Sequence, residues 1–426
     1  MHSYVLLLFS YVFVALAATN GRWVNTWTSM PQLTEPANLP NPPFNGSTAV
    51  FVNSTLRQTL HMSIGGNQTR VRFSNVFGVN NLDITAATIA LPLNGAPGAS
   101  AIDMSTLKTL TFSGNTSFSI PNGALVVSDP VDFPIQPQST LTVTMYLRDG
   151  QDGFSITSHP GSRTTTWMSF GDLVTASNIT SSSVTSVEHW YFVSAVEVWS
   201  NSSLTSAFAI IGDSITDGRG SDDNKNNRWP DLVLARMQQN EATSQIAMNN
   251  QAAGGNRVLA DGLGPNALGR IDRDVLAQSG IKYAMIFEGV NDIGVADPSE
   301  ESQSLIGDQL ISAYKQIVTR IHTFGIPVFA ATITPFGAPN STIQPYSNPV
   351  REATRQRINA YIRTPGSFDY FIDFDKVLAD PNNPSQLNPD FNSGDFLHPN
   401  VDGYEAIANS FPLDIFEQFS GEISMF

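Results

Sequence analysis

The sequence predicts two domains: an all-β sandwich over residues 20–200, then a three-layer α/β domain over residues 206–426. Three observations carry this. From about Thr59 to Trp199, apolar residues recur with period two in short runs separated by Gly, Pro and Asn, and no convincing helix intervenes. After Asn201-Ser202-Ser203 the pattern changes, and strand-like and helix-like runs alternate in the βα manner. The length of 426 residues suits two cores of ordinary size, whereas one domain would be unusually large.

Taken in order, residues 1–18 hold the apolar run Val5–Ala17, followed at once by Thr19-Asn20-Gly21. Its short core, with small residues at Ala15 and Ala17, reads as a cleavable signal peptide rather than a membrane anchor, although no Lys or Arg precedes it. No later stretch reads as a membrane span, so a soluble, secreted, extracellular protein is expected. Seven Asn-x-Ser/Thr sequons agree with that: Asn45, Asn53, Asn67, Asn115, Asn178, Asn201 and Asn340.

Trp23–Trp27 and a Pro-rich stretch from Pro31 to Pro43 come next, the latter expected as irregular surface chain. Leu60, Met62 and Ile64, then Gly65-Gly66-Asn67, then Val71 and Phe73 read as a β-hairpin. Leu141, Val143, Met145 and Leu147 mark another alternating strand. In the second domain strands are expected near residues 207–211, 246–249, 281–287, 326–333 and 370–373. Helices are expected over 229–239, 267–278, 302–324, 349–362 and 401–419, with Pro412 a candidate break in the last. Five parallel strands covered by helices suggest a three-layer, flavodoxin-like arrangement.

Composition excludes several function classes. With no cysteine there is no disulfide, thiol nucleophile or thiolate metal site. A net charge of −15 with no basic cluster argues against nucleic acid and anionic membrane surfaces as partners. Neither Gly-x-Gly-x-x-Gly nor the Walker pattern is present, and no cofactor or metal is expected.

The Ile-rich run Phe208–Ile211 stops at Gly212-Asp213-Ser214, which places a hydroxyl at the carboxyl end of a buried strand, where open α/β sheets hold their ligands. Ser214 is the candidate nucleophile. In Asp395-Phe396-Leu397-His398-Pro399, three-residue spacing can set the carboxylate beside the imidazole, which would take the Ser214 proton; Asp395 can equally serve as a helix cap. Candidate oxyanion donors are the backbone N–H groups of Ser214 and Gly255 and the side-chain amide of Asn291, in turns that follow the first three strands. Each of these turns also has an ordinary reading, because Gly, Asn and Asp are what turns use.

Together the stretches Gly212–Ile215, Gly254–Arg257, Gly289–Asp292 and Asp395–Pro399 resemble the motif blocks of the SGNH hydrolases, also called GDSL esterases, with Ile215 where Leu is usual. The resemblance covers about residues 206–426. It implies a Ser214–His398–Asp395 triad and an oxyanion hole from Ser214, Gly255 and Asn291. Trp23–Trp27, Thr55–Gly66 and Ser158–Arg163 are similar to the β-rich partner domain of a fungal and bacterial branch that includes xylan esterases. That branch implies an ester substrate carrying acetyl or other short acyl groups, on plant cell-wall polysaccharide.

Other residues have competing readings. His159 can reach the cleft or simply be a loop residue; Asp213 and Asp217 read as turn hydrogen-bonders; Glu288 at a buried strand end has no evident role. Trp229, Phe336 and Tyr346 can stack on sugars or lie in the core. Three other functions compete with a short-chain esterase: a lipase for longer acyl chains, for which no amphipathic lid is visible; a carbohydrate-binding adhesion protein; and a glycosidase, which would leave the hydroxyl unexplained.

Overall fold

The structure is a computed structural model that describes residues 21–421, so the apolar leader expected over residues 1–18 lies outside the described residues. The amino-terminal part is strand-rich, with helical structure confined to three-residue 3-10 turns. One five-stranded antiparallel sheet is built on Gly66–Ser74 and Val193–Ser200, with Arg22–Thr28 at its edge; a six-stranded sheet has Ser54–His61 and Thr140–Leu147 at its centre. Leu56, Leu60 and Val143 from one sheet meet Val71, Phe73 and Val196 from the other in a single apolar core.

The expected hairpin at Gly65-Gly66-Asn67 does not form, because Ser54–His61 and Gly66–Ser74 belong to different sheets. Thr26 explains the difference. Its hydroxyl accepts from the Ile64 N–H at 2.9 Å and donates to the Ile64 carbonyl at 2.7 Å, and its own carbonyl accepts from the Ser63 N–H at 2.8 Å. The backbone groups a tight turn would use are thus occupied, and the chain crosses from one sheet to the other.

The carboxyl-terminal half holds a five-stranded parallel sheet in the order Ile246–Ala252, Ser206–Gly212, Ile281–Phe287, Val328–Ala331, Tyr370–Ile372. Along Ser206–Gly212, Phe208 and Ile210 enter one core with Trp229 and Phe416, while Ala209 and Ile211 enter another with Val275 and Ile317. Burial on both faces is why this strand reads as a continuous apolar run. The expected helix over 267–278 is α-helical only over Ala267–Ile271 and continues as a π-turn, Asp272–Leu276; the last helix is interrupted around Pro412 into Val401–Ser410 and Ile415–Gln418.

The two halves share backbone as well as side-chain bonds. Ile246–Ala252 is an edge strand, and its Met248 N–H and carbonyl are both taken by the Ser63 hydroxyl, at 3.1 and 3.2 Å. Asn25 N–H donates to the Ser279 carbonyl at 3.0 Å. Covering the edge removes a site where another chain could pair. Among the described residues no helix is long and apolar enough to cross a membrane, and no three His, Asp or Glu gather as metal ligands would.

Candidate active site

Ser214 sits where the first parallel strand stops. The Asp213 side chain accepts from the Ile215 N–H at 3.0 Å and the Asp213 carbonyl accepts from Asp217 N–H at 2.8 Å, so one helical turn, Ser214–Asp217, starts at the serine. The turn ends at Gly218, whose φ of +102° favours glycine. The Ser214 Oγ lies 2.7 Å from His398 Nε2, and His398 Nδ1 lies 2.6 Å from Asp395 Oδ2. A carboxylate beside Nδ1 fixes the proton there, which leaves the Nε2 lone pair to accept from the serine hydroxyl.

Asp395 does two jobs. Its other oxygen accepts from the N–H groups of Leu397 at 3.0 Å and His398 at 2.8 Å, so it shapes the loop that carries the imidazole. The following helix, Val401–Ser410, is capped by Asn400 instead. Burial pushes the Asp395 carboxyl up, but the hydrogen bond from His398, its charge and the two backbone donors outweigh this and hold it well below the usual range.

Gly255 has φ +72°, and a Cβ there would meet the Leu263 side chain at 2.3 Å. Its loop is pinned from both sides. The Gly254 N–H donates to Asp217 Oδ2 at 2.9 Å, and Asp292 accepts from Val258 and Leu259 N–H at 2.8 and 2.9 Å. Asn291 is the second residue of the helix Val290–Val295; its Nδ2 donates to the Asn256 carbonyl at 2.8 Å and its Oδ1 accepts from the Tyr346 hydroxyl at 3.1 Å. These partners fix the amide orientation and leave one Nδ2 hydrogen for a further acceptor. Ser214, Gly255, Asn291 and His398 all line one cleft of about 430 Å³.

Behind the cleft, buried Arg270 ties the strand ends together. It donates to the carbonyls of Gly212 at 3.3 Å and Gln251 at 2.6 Å, to Asn256 Oδ1 at 3.0 Å, and to Asp274 and Glu288 at 3.1 and 3.3 Å. That gives Glu288 a partner. Burial nevertheless pushes the Glu288 carboxyl up to about 8, because its single long contact is to a guanidinium shared with Asp274. Sequence reasoning missed Arg270, and its one signal was an arginine at an otherwise apolar helix position.

The other wall of the cleft comes from the strand-rich part: Gln32, Glu35, Asn38, Pro160, Gly161 and Arg163. The stretch expected as irregular surface chain thus contains the short strand Gln32–Leu33, paired with Thr157–His159. His159 is buried and pairs with Asp217 at 2.8 Å, rather than facing the cleft. Trp229 and Phe336 are core residues, while Tyr346 lines the cleft.

Residues 210–406 match the model of a family described as GDSL-like lipase/acylhydrolase. That span is a GDSL-like lipase/acylhydrolase domain. The chain is accordingly a carboxylic ester hydrolase. Among solved structures, it is similar to a GDSL-like lipase from Bacteroides thetaiotaomicron VPI-5482, at 16% identity over 50% of this chain and 87% of that chain, with a TM-score of 0.35. It is also similar to a carbohydrate acetylesterase family member from Sinorhizobium meliloti, at 12% identity over 51% of this chain and 100% of that chain, TM-score 0.39. An acetyl xylan esterase aligns at 18% identity over 48% of this chain and 96% of that chain, TM-score 0.37. A comparison with curated proteins found no match. The GDSL-like span contains Ser214, Gly255, Asn291, Asp395 and His398, and leaves out the cleft wall that carries Glu35 and Arg163.

Proposed function

We propose that this chain is a secreted serine esterase that removes short acyl groups, acetyl above all, from plant cell-wall polysaccharide. The unbroken line from Ser214 Oγ through His398 to Asp395, at 2.7 and 2.6 Å, carries the reading. Ser214 attacks the acyl carbon as its proton passes to His398 Nε2, and Asp395 stabilises the imidazolium that forms. The N–H groups of Ser214 and Gly255 and the free Nδ2 hydrogen of Asn291 stabilise the oxyanion. His398 then gives the proton to the departing sugar oxygen, and water, deprotonated by the same nitrogen, releases the acid and frees Ser214.

In this reading the hydrolase domain spans residues 206–426 as a three-layer α/β/α unit. The sandwich over residues 20–200 supplies the facing wall. Asn53, Asn67, Asn115, Asn178, Asn201 and Asn340 are exposed and Asn45 is half-buried, which suits glycosylation after export. The short-acyl preference is supported by the polar wall formed by Gln32, Glu35 and Asn38. The test is acetate release from acetylated plant polysaccharide. Wild type should release acetate and Ser214→Ala should not; polysaccharide binding with no release by wild type would point to an adhesion protein instead.

A further inference from the structure

The cleft holds positive charge that the hydrolytic steps do not use. Arg163, from the strand-rich part, and Arg219, two residues beyond the turn that starts at Ser214, line it beside Ser214 and His398. Every arginine of the chain is among the described residues, and these are the two whose guanidinium makes neither a hydrogen bond nor an ion pair there. All the others donate to a carboxylate, a carbonyl or another side-chain oxygen. The Nε of Arg163 is moreover buried without a partner. A buried donor left unsatisfied costs stability and invites explanation by a ligand.

Arg163 is also held in place. Its φ is +50°, a left-handed conformation that residues with a Cβ rarely adopt. Asn224, in the loop after the nucleophile, maintains it: the Asn224 N–H donates to the Arg163 carbonyl at 2.8 Å, and the Asn224 amide bonds both the N–H and the hydroxyl of Thr165, at 2.9 and 2.8 Å. The acidic groups of the cleft are already engaged. Glu35 accepts from Gln32 at 2.5 Å and from Asn38 at 2.9 Å, Asp217 faces His159, and Asp395 faces His398. Two unpaired guanidinium groups therefore stand in a chain whose net charge is −15. The planar fork of arginine matches a carboxylate with two parallel hydrogen bonds.

We propose that Arg163 and Arg219 form an anion subsite that binds a carboxylate of the substrate, so that the preferred esters are acyl groups on uronate-bearing saccharides. This rests on the esterase reading of Ser214. The experiment compares kcat/KM on acetylated galacturonate oligosaccharides with that on acetylated, uncharged xylo-oligosaccharides, in wild type, Arg163→Gln, Arg219→Gln and the double variant. Wild type should favour the acidic substrate, and the acidic-to-neutral ratio should fall by about tenfold for each arginine removed, as for loss of one charge-assisted hydrogen bond. Arg219→Lys should keep part of the preference. An unchanged ratio overturns the subsite, and so does a fall seen only between 4-nitrophenyl hemisuccinate and 4-nitrophenyl acetate, which would put the carboxylate on the acyl side. Wild-type turnover of the neutral ester reports separately on the esterase reading, and a wild type inactive on every ester removes both.

Discussion

His159 Nε2 and Asp217 Oδ1 lie 2.8 Å apart, both buried, although one residue comes from the strand-rich part and the other from the turn that carries Ser214. The other ring nitrogen of His159 faces the Met30 carbonyl at 3.0 Å, which can only accept, so that nitrogen carries a hydrogen. Nε2 faces a carboxylate as well. The contact therefore ties a buried imidazole of one half to a buried carboxylate of the other. Asp217 passes the constraint on, because its Oδ2 takes the Gly254 N–H beside Gly255. A Cβ on Gly161 would lie 1.7 Å from that same oxygen, which is why a side chain is excluded there.

His159→Ala leaves the Asp217 charge buried and unpaired, and should cost about 3–5 kcal/mol in denaturant unfolding. With Asp217→Asn added, the combined loss should be smaller than the sum of the two single losses, because the pair acts as one unit. In the same variants kcat should fall while KM for a small ester changes little, since the Gly254–Gly255 loop loses its anchor. A single-variant loss below about 1 kcal/mol would mean that the contact does not hold the halves together.

Asn291→Ala removes a donor from the cleft and should lower kcat by roughly 10²–10³ with the fold intact. Tyr346→Phe removes only the hydroxyl that orients the amide through Oδ1, and its kcat should lie between wild type and Asn291→Ala. Circular dichroism of each variant checks the fold, and full turnover by Asn291→Ala would take that residue out of the reaction.

Stability should decline as pH rises through about 7 to about 8, above the range in which His189, held down to about 4 by burial, contributes the opposite slope. Burial raises the carboxyl of Glu288 from its ordinary 4.5 to about 8 and that of Asp213 from 3.8 to about 7. Between those limits the folded protein keeps protons that the unfolded chain has released. The stabilisation is full below the unfolded values and is lost through the folded ones. Carboxyls held low, such as Asp395 and Asp231, titrate below this window. Glu288→Gln should flatten the decline in Tm between about pH 7 and about pH 8; an unaltered slope would show that Glu288 is ionised throughout.

For acyl length, kcat/KM should fall steeply from acetyl to octanoyl esters. The cleft offers Pro160, Leu263, Tyr346 and Leu397 as apolar contacts beside the polar side chains of Gln32, Glu35 and Asn38, and each misfit methylene should cost about 1 kcal/mol or more. A preference for octanoyl esters would favour a lipase.

What the sequence made legible follows from locality. Ser214, Asp395 and His398 lie in short stretches whose neighbours set their geometry: a strand end, a capped turn and an Asp that bonds the backbone two and three residues on. The central parallel strands were equally plain, because both faces are buried. What stayed hidden depends on contacts distant in sequence. The false hairpin fails because of Thr26, 38 positions before Ile64. The cleft wall at Gln32, Glu35 and Arg163 exists only once the two halves pack, and the partner of His159 lies 58 residues away. Glu288 needed Arg270, 18 residues earlier in the chain.

The most direct test of the central claim is a comparison of kcat for 4-nitrophenyl acetate in wild type, Ser214→Ala, His398→Ala and the double variant. If the serine and the imidazole share one proton-transfer step, each single variant should lose most of the turnover and the double should be little worse than either. Substantial turnover by Ser214→Ala, or losses that multiply in the double variant, would contradict the account.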